Sequence, residues 1–183
     1  MKHHCQNCVA DDTDIFVLLV FFFWVYKPAV QVSMRKYDGK IIDISATALK
    51  LGDKCFDLLA VHALSGCDTV SYPFGKGKIS ALNMLLKLDL NLQVFSELDA
   101  EEVDWMKAGM DFLSYLYCGK IVESLNNLRY TLFSKKKDPP KIKSLPSTDK
   151  SAIEHVKRAR LQVLIWRAAD QNTPLETNLS MFG

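Results

Sequence analysis

The chain lacks an apolar run long enough to cross a membrane, an even number of cysteines, a strong net charge and an internal repeat, and each absence removes a class of protein. Its longest apolar stretch, Ile15 to Tyr26 (IFVLLVFFFWVY), falls short of the ~20 residues a spanning helix needs. It reads instead as a buried core segment, and no membrane partner is expected. No positively charged region precedes it, since Asp11, Asp12 and Asp14 stand there, and no small-residue cleavage site follows; a secretory signal has both. Cysteines at 5, 8, 55, 67 and 118 make an odd count without such a signal, which points to free thiols in a reducing compartment. The location expected is therefore intracellular, with the nucleus among the options. A net charge of +2 and a pI near 8.2 are too mild to identify a nucleic-acid binder, so that case rests on where the lysines sit.

What is present is a globular composition: 183 residues, 49% hydrophobic and 24% charged, enough for one domain with an appendage and too apolar for disorder throughout. Lys27-Pro28 closes the apolar run because proline continues neither a helix nor a central strand. Val30 to Lys36 alternates apolar with polar, Tyr37 to Lys40 reads as a turn, and Ile41 to Ile44 is β-branched, so a hairpin is expected. The pattern turns helical from Ala46. Asp53 to Leu64 places Phe56, Leu59, Ala60 and Ala63 on one face, and Gly66 stops it. Further helices are expected at Lys78–Leu88, Ala100–Tyr117, Ser124–Phe133 and Ser151–Ala169, the last capped by Ser147-Thr148-Asp149. Between the last two, Ser134 to Ser147 (SKKKDPPKIKSLPS) is rich in lysine and proline and reads as a linker or exposed arm. The domain expectation is a compact part over 1–133, a basic linker over 134–150 and a terminal helix and tail over 151–183.

The candidate chemistry lies in a few constellations. On an extended strand, residues two apart face the same side, so Asp12 and Asp14 of ADDTD would share a site. Paired carboxylates at a strand end suit a hard cation such as Mg²⁺ or Mn²⁺. The alternative is that Asp14 caps the next helix while Asp11 and Asp12 are solvated, and from the pair alone that alternative is preferred. Ser65-Gly66-Cys67-Asp68 then places an acid just past a helix, and Gly75-Lys76-Gly77-Lys78 forms a glycine-spaced basic turn opening another. Backbone N–H groups at such a start can approach a phosphate, with Lys76 and Lys78 adding charge; a plain turn with solvated lysines is the alternative.

Lys135, Lys136 and Lys137, with Lys141, Lys143, Lys157, Arg158 and Arg160, form the largest basic concentration, interleaved with Tyr130, Phe133 and Trp166. It suits phosphate backbones, or equally a soluble linker. His3, His4, Cys5 and Cys8 could form half a zinc site, but no second ligand pair follows, and His62 and His155 fall in expected helices. Cys67 with His62 as its base lacks an orienting acid and is set aside as a nucleophile.

The order ADDTD, apolar segment, hairpin, helix, Gly-Cys-Asp, glycine-spaced turn, helix resembles the second half of the flap endonucleases and related PIN-like nucleases. LLAVHALSGCDTVSYPFGKGKISAL stands where that family has its Gly-Cys-Asp turn and a helix-two-turn-helix of the type GIGPKRA. The resemblance covers roughly residues 9 to 90, and its Gly-Cys-Asp-to-helix section is the most specific part. It implies an α/β fold with a Rossmann-type parallel sheet, incomplete at the amino end, and a mostly helical carboxyl-terminal half. It also implies Mg²⁺ or Mn²⁺ ligand roles, and so catalytic roles, for Asp12, Asp14 and Asp68, and a grip on a nucleic-acid backbone, DNA or RNA, by Gly75, Gly77 and Lys78.

Two departures stand out: GKGKISA carries a lysine where the family has proline, and the family's further carboxylates from an earlier strand and helix have no counterpart before Met1. A two-metal site, with ions roughly 3.5–4 Å apart, needs more oxygen ligands than three aspartates supply. A truncated product is therefore expected, with independent catalysis disfavoured and an unpaired sheet edge prone to self-association. Residues 9 to 170 also resemble uncharacterised animal proteins of mobile-element origin, through NNLRYTLFSKK and KRARLQVLIWR, and that likeness implies no function. The functional expectations are thus a metal-dependent nuclease or its remnant, a non-catalytic nucleic-acid-binding or interaction domain on the same scaffold, or an inert fragment.

Overall fold

In the computed structural model, residues 5–88, 90–134 and 140–171 are described, Cys5 by its backbone alone. Two compact units divide the chain after Leu59. The first holds strand β1 (Cys5–Val9), helix α1 (Thr13–Tyr26), strands β2 (Gln31–Arg35) and β3 (Ile41–Asp43), helix α2 (Ile44–Leu51) and the opening of α3 (Lys54–Leu64). Its sheet runs β1-β2-β3. β1 pairs with β2 in parallel, Val9 opposite Arg35, while β2 pairs with β3 antiparallel, Met34 opposite Ile42. Parallel neighbours need a crossover, and α1 supplies it.

Each boundary has a local cause. Lys27 ends α1 in the left-handed region at φ 45°, returning its N–H to the Phe23 carbonyl at 2.8 Å, and Pro28 prevents resumption. The expected hairpin is formed: Gly39 takes φ 86° in the turn, and the Lys36 N–H reaches the Lys40 carbonyl at 2.8 Å. Asp43 caps α2 by accepting the Ala46 N–H at 2.8 Å. Gly52, at φ 57°, breaks the helical stretch into α2 and α3. Val17, Val20 and Phe21 of α1 are buried, as are Met34, Ile44 and Ala48. The apolar run is thus buried along one stripe only, for Ile15 and Tyr26 at its two ends are exposed.

The second unit is helical. After the end of α3 and the loop 65–77 come α4 (Lys78–Lys87), a 3-10 turn at Gln93–Ser96, α5 (Glu102–Cys118), α6 (Leu125–Ser134), a 3-10 turn at Ile142–Ser144 and α7 (Asp149–Arg167). α5 and α7 pack together, and both meet the first of these turns. Gly109 of α5 makes the approach possible: a Cβ there would stand 2.6 Å from Val156 Cγ1 on α7 and 3.0 Å from Phe95 Cζ. Arg160, on α7 and almost wholly buried, donates to the Val94 carbonyl at 2.9 Å and to that of Glu97, with its guanidinium 5.9 Å from the centre of the Trp105 ring. Burial pushes its pKa down to about 10, against the pull of Glu97.

The expectation of a linker followed by a separate terminal helix does not describe residues 140–167. Leu145 and Pro146 are buried, Arg129 donates to the Pro146 carbonyl at 2.7 Å, and α7 carries eight buried residues. Lysine and proline dominate the composition there, and the two apolar residues that dock the segment are too few to show as periodicity. Asp149 joins the parts, accepting from Ser124 Oγ at 2.7 Å and from the Leu125 N–H at 2.6 Å while sitting in the first turn of α7. The fold class is therefore α/β, with a small mixed sheet and a mostly helical remainder. Among the described residues no helix is long and apolar enough to cross a membrane.

Candidate functional site

In the first unit, β1 ends at Val9 and α1 starts at Thr13, so Asp11 and Asp12 occupy the turn at the carboxyl end of a strand in a parallel pair. Open α/β sheets present ligand groups at that end. The strand-end reading of the pair is corrected here and the helix-cap reading stands, with Asp12 rather than Asp14 as the cap: Asp12 is the N-cap of α1, accepting the Asp14 N–H at 2.8 Å, and Asp14 lies in the helix's first turn. The cap satisfies a donor that the helix cannot pair internally. Asp11 accepts the Tyr37 N–H at 3.3 Å and has Lys36 Nζ at 3.7 Å. A helix amino terminus and a lysine beside these carboxylates lower the negative potential that a cation would seek. Asp12 still has a second carboxylate oxygen beyond the one used in capping.

In the second unit, α3 gives way to the Gly-Cys-Asp turn. Gly66 adopts φ 104°, and a Cβ on it would stand 2.3 Å from Tyr72 Cβ and 2.7 Å from Tyr72 Cα. The loop therefore folds back on a residue that must be glycine. A bridge between Cys67 and Val70 closes it, with N···O distances of 2.9 and 3.2 Å. Asp68 is exposed at its tip, and Thr69 Oγ1 reaches Gln162 on α7 at 2.5 Å.

The glycine-spaced turn follows. The Lys76 N–H bonds to the Pro73 carbonyl at 3.0 Å, with Gly75 at φ 71°. Gly77 is the N-cap of α4 and, being glycine, offers no side chain to cap the helix's first turn. Gly75 and Gly77 are both exposed, and an added Cβ on either would meet nothing within 4 Å. Lys76 Nζ lies 5.8 Å from the centre of the Tyr117 ring. Lys78 behaves differently: its ammonium lies 2.6 Å from the Gly66 carbonyl and 2.9 Å from His62 Nδ1. It ties the start of α4 to the Gly-Cys-Asp turn, where the sequence pattern had suggested a phosphate contact. His62 is buried beside Trp166, ring centres 5.4 Å apart.

One arrangement had no signal in the sequence. His155 on α7 has Nε2 at 2.9 Å from the Leu64 carbonyl and Nδ1 at 3.3 Å from Ser71 Oγ. A carbonyl cannot donate, so Nε2 carries the proton, and in the neutral ring Nδ1 accepts from the Ser71 hydroxyl. Burial lowers the pKa of His155; the Leu64 hydrogen bond opposes that shift, and Arg158 adds to it. The residues of this contact are far apart in sequence, which is why neither composition nor spacing announces it. Cys55, by contrast, is a core thiol whose pKa burial and then Asp53 push up to about 11.

Asp12 and Asp14 thus belong to the first unit and Asp68 to the second. Among the described residues no group of three or more His, Cys, Asp or Glu side chains is placed to hold a metal ion. Lys135, Lys136 and Lys137 lie outside the described residues, as do His3 and His4. Cys8 is a half-buried free thiol. No protein-family model, curated protein or solved structure matches this chain.

Proposed function

We propose that this chain is a nucleic-acid-binding domain on a PIN-like scaffold, gripping a phosphodiester backbone through Gly75, Lys76 and Gly77 without a competent metal site of its own. The observation that carries the reading is the amino terminus of α4. Its N-cap is a glycine with no side chain to cap the first turn, a left-handed glycine precedes it, and both glycines are exposed. A glycine-capped helix start with a lysine alongside suits a phosphate oxygen. The scaffold is supported by the order of parts: parallel strands joined by a helix, a hairpin, a helix ending in Gly-Cys-Asp, then a glycine-spaced turn opening the next helix.

A metal-dependent nuclease acting on phosphodiesters is the second reading, favoured by Asp11 and Asp12 standing at the carboxyl end of a parallel strand pair. There Asp12, Asp14 and Asp68 would hold Mg²⁺ or Mn²⁺, whose charge offsets that of the phosphate. The donor set fits poorly. Asp12 is engaged as a cap, and the described carboxylates form no cluster, so no catalytic step is derived through the ion.

Oligonucleotide anisotropy with and without Mn²⁺, on the wild type and on Asp12→Asn and Asp68→Asn, separates the two. The first reading expects metal-independent binding that both variants retain and no aspartate-dependent cleavage. Cleavage abolished by Asp68→Asn would establish the second.

A further inference from the structure

The helical unit contains a second feature that neither the glycine turn nor the aspartates account for: a cleft of about 350 Å³ between the 71–74 loop, α5, α6, the 142–147 segment and α7. Ligand clefts for small molecules run ~300–1,000 Å³, so this one admits a single nucleotide and little more. Its lining divides by chemistry. Arg129 and Lys143 supply two cations, Tyr72 and Phe74 supply aromatic faces, and Ser71, Ser147 and Ser151 supply hydroxyls. Among the described residues no carboxylate lines it. Asp149, the acid nearest in sequence to the serines, is turned to Ser124 and the Leu125 N–H.

The two chemistries are adjacent. Lys143 Nζ lies 4.3 Å from the centre of the Phe74 ring, so positive charge and an aromatic surface meet at one edge of the cleft. Arg129 is fixed by its bond to the Pro146 carbonyl at 2.7 Å, which uses one of its five N–H donors. It stands close enough to Tyr117 for its charge to oppose the rise that burial produces in the Tyr117 pKa. Tyr72 is 75% exposed and Phe74 42% exposed, an arrangement that leaves ring surface for stacking. Stacked aromatics beside cations that track phosphate are the general means of holding an unpaired nucleotide.

We infer that this cleft is a binding site for a nucleoside monophosphate, with the phosphate at Arg129 and Lys143 and the base against Tyr72 and Phe74. The class of ligand rests on the nucleic-acid reading above; the site rests on the cleft alone. The nucleotide is either free or the terminal residue of a strand, because the same chemistry recognises both.

The test uses the full chain without metal. Isothermal titration with a nucleoside monophosphate, the matching nucleoside, inorganic phosphate and a terminally phosphorylated tetranucleotide compares the wild type with Lys143→Glu and Phe74→Ala. Both positions are exposed enough to substitute without disturbing the core, and a melting curve checks this. The expected result is nucleotide binding that exceeds phosphate and nucleoside binding, weakened roughly tenfold or more by each substitution. Tighter binding of the tetranucleotide assigns the site to strand ends; equal binding assigns it to free nucleotide. Phosphate binding as tightly as the nucleotide, or an unchanged affinity in Lys143→Glu, overturns the inference. An oligonucleotide that binds while no mononucleotide or tetranucleotide does also overturns it, yet leaves the backbone-binding reading standing. Mononucleotide binding without oligonucleotide binding does the reverse.

Discussion

Gly66 shows how much one missing side chain can decide. Its φ of 104° and the Tyr72 backbone 2.7 Å from a hypothetical Cβ make two separate demands for glycine. Gly66→Ala is expected to cost roughly 2–6 kcal/mol, the sum of a left-handed non-glycine residue and an overpacked contact, measurable by urea denaturation of the purified protein. His155 makes a prediction of a different kind. Its folded pKa lies below that of the unfolded chain because burial disfavours the charged ring, so the unfolded state binds more protons. Stability is therefore fully present above ~6.5, the unfolded value, and falls as pH drops from there through the lowered folded value. Melting temperatures between pH 7 and 5 should decline more steeply for the wild type than for His155→Phe. The Asp12 cap explains why the candidate site was only partly legible. D-T-D is compatible with a strand end or a helix start, and what distinguishes them is the period of the residues that follow. From Ile15 to Tyr26 every residue is apolar or aromatic, so the i, i+3, i+4 stripe of Val17, Val20 and Phe21 has no polar background to show against.

At the scale of elements, patterning served well where it had contrast. The hairpin over β2 and β3, the amphipathic helices α4 to α7 and the Thr148 cap of α7 all stand near their expected bounds, because alternation and capping are local properties. Packing between distant elements was not legible. One case is α5 against α7, where Gly109 admits Val156. Gly109→Ala gains about 1 kcal/mol in helix propensity but forces a Cβ to 2.6 Å from a stiff β-branched side chain. Overpacking of that kind costs about 1–3 kcal/mol. A net loss of up to about 2 kcal/mol is expected, and Val156→Ala in the same chain should recover part of it. A double-mutant cycle by chemical denaturation reads the coupling, and strict additivity would show that the two helices do not meet there.

Across the whole chain, the functional reading divides between the two units. The parallel strand pair and its acidic turn lie in the first, while the Gly-Cys-Asp turn, the glycine-capped amino terminus of α4 and the cationic cleft lie in the second. A small net charge of +2 leaves binding to local arrangement, so affinity should depend steeply on a few lysines and on salt. The measurement that tests the central claim most directly is the salt dependence of single-stranded oligonucleotide binding, without metal, for the wild type and Lys76→Glu. The account predicts measurable binding at low salt, a log–log slope smaller by about 1 in the variant, and uniform weakening across sequences. No binding at low salt, or identical slopes and affinities for the two proteins, would contradict it.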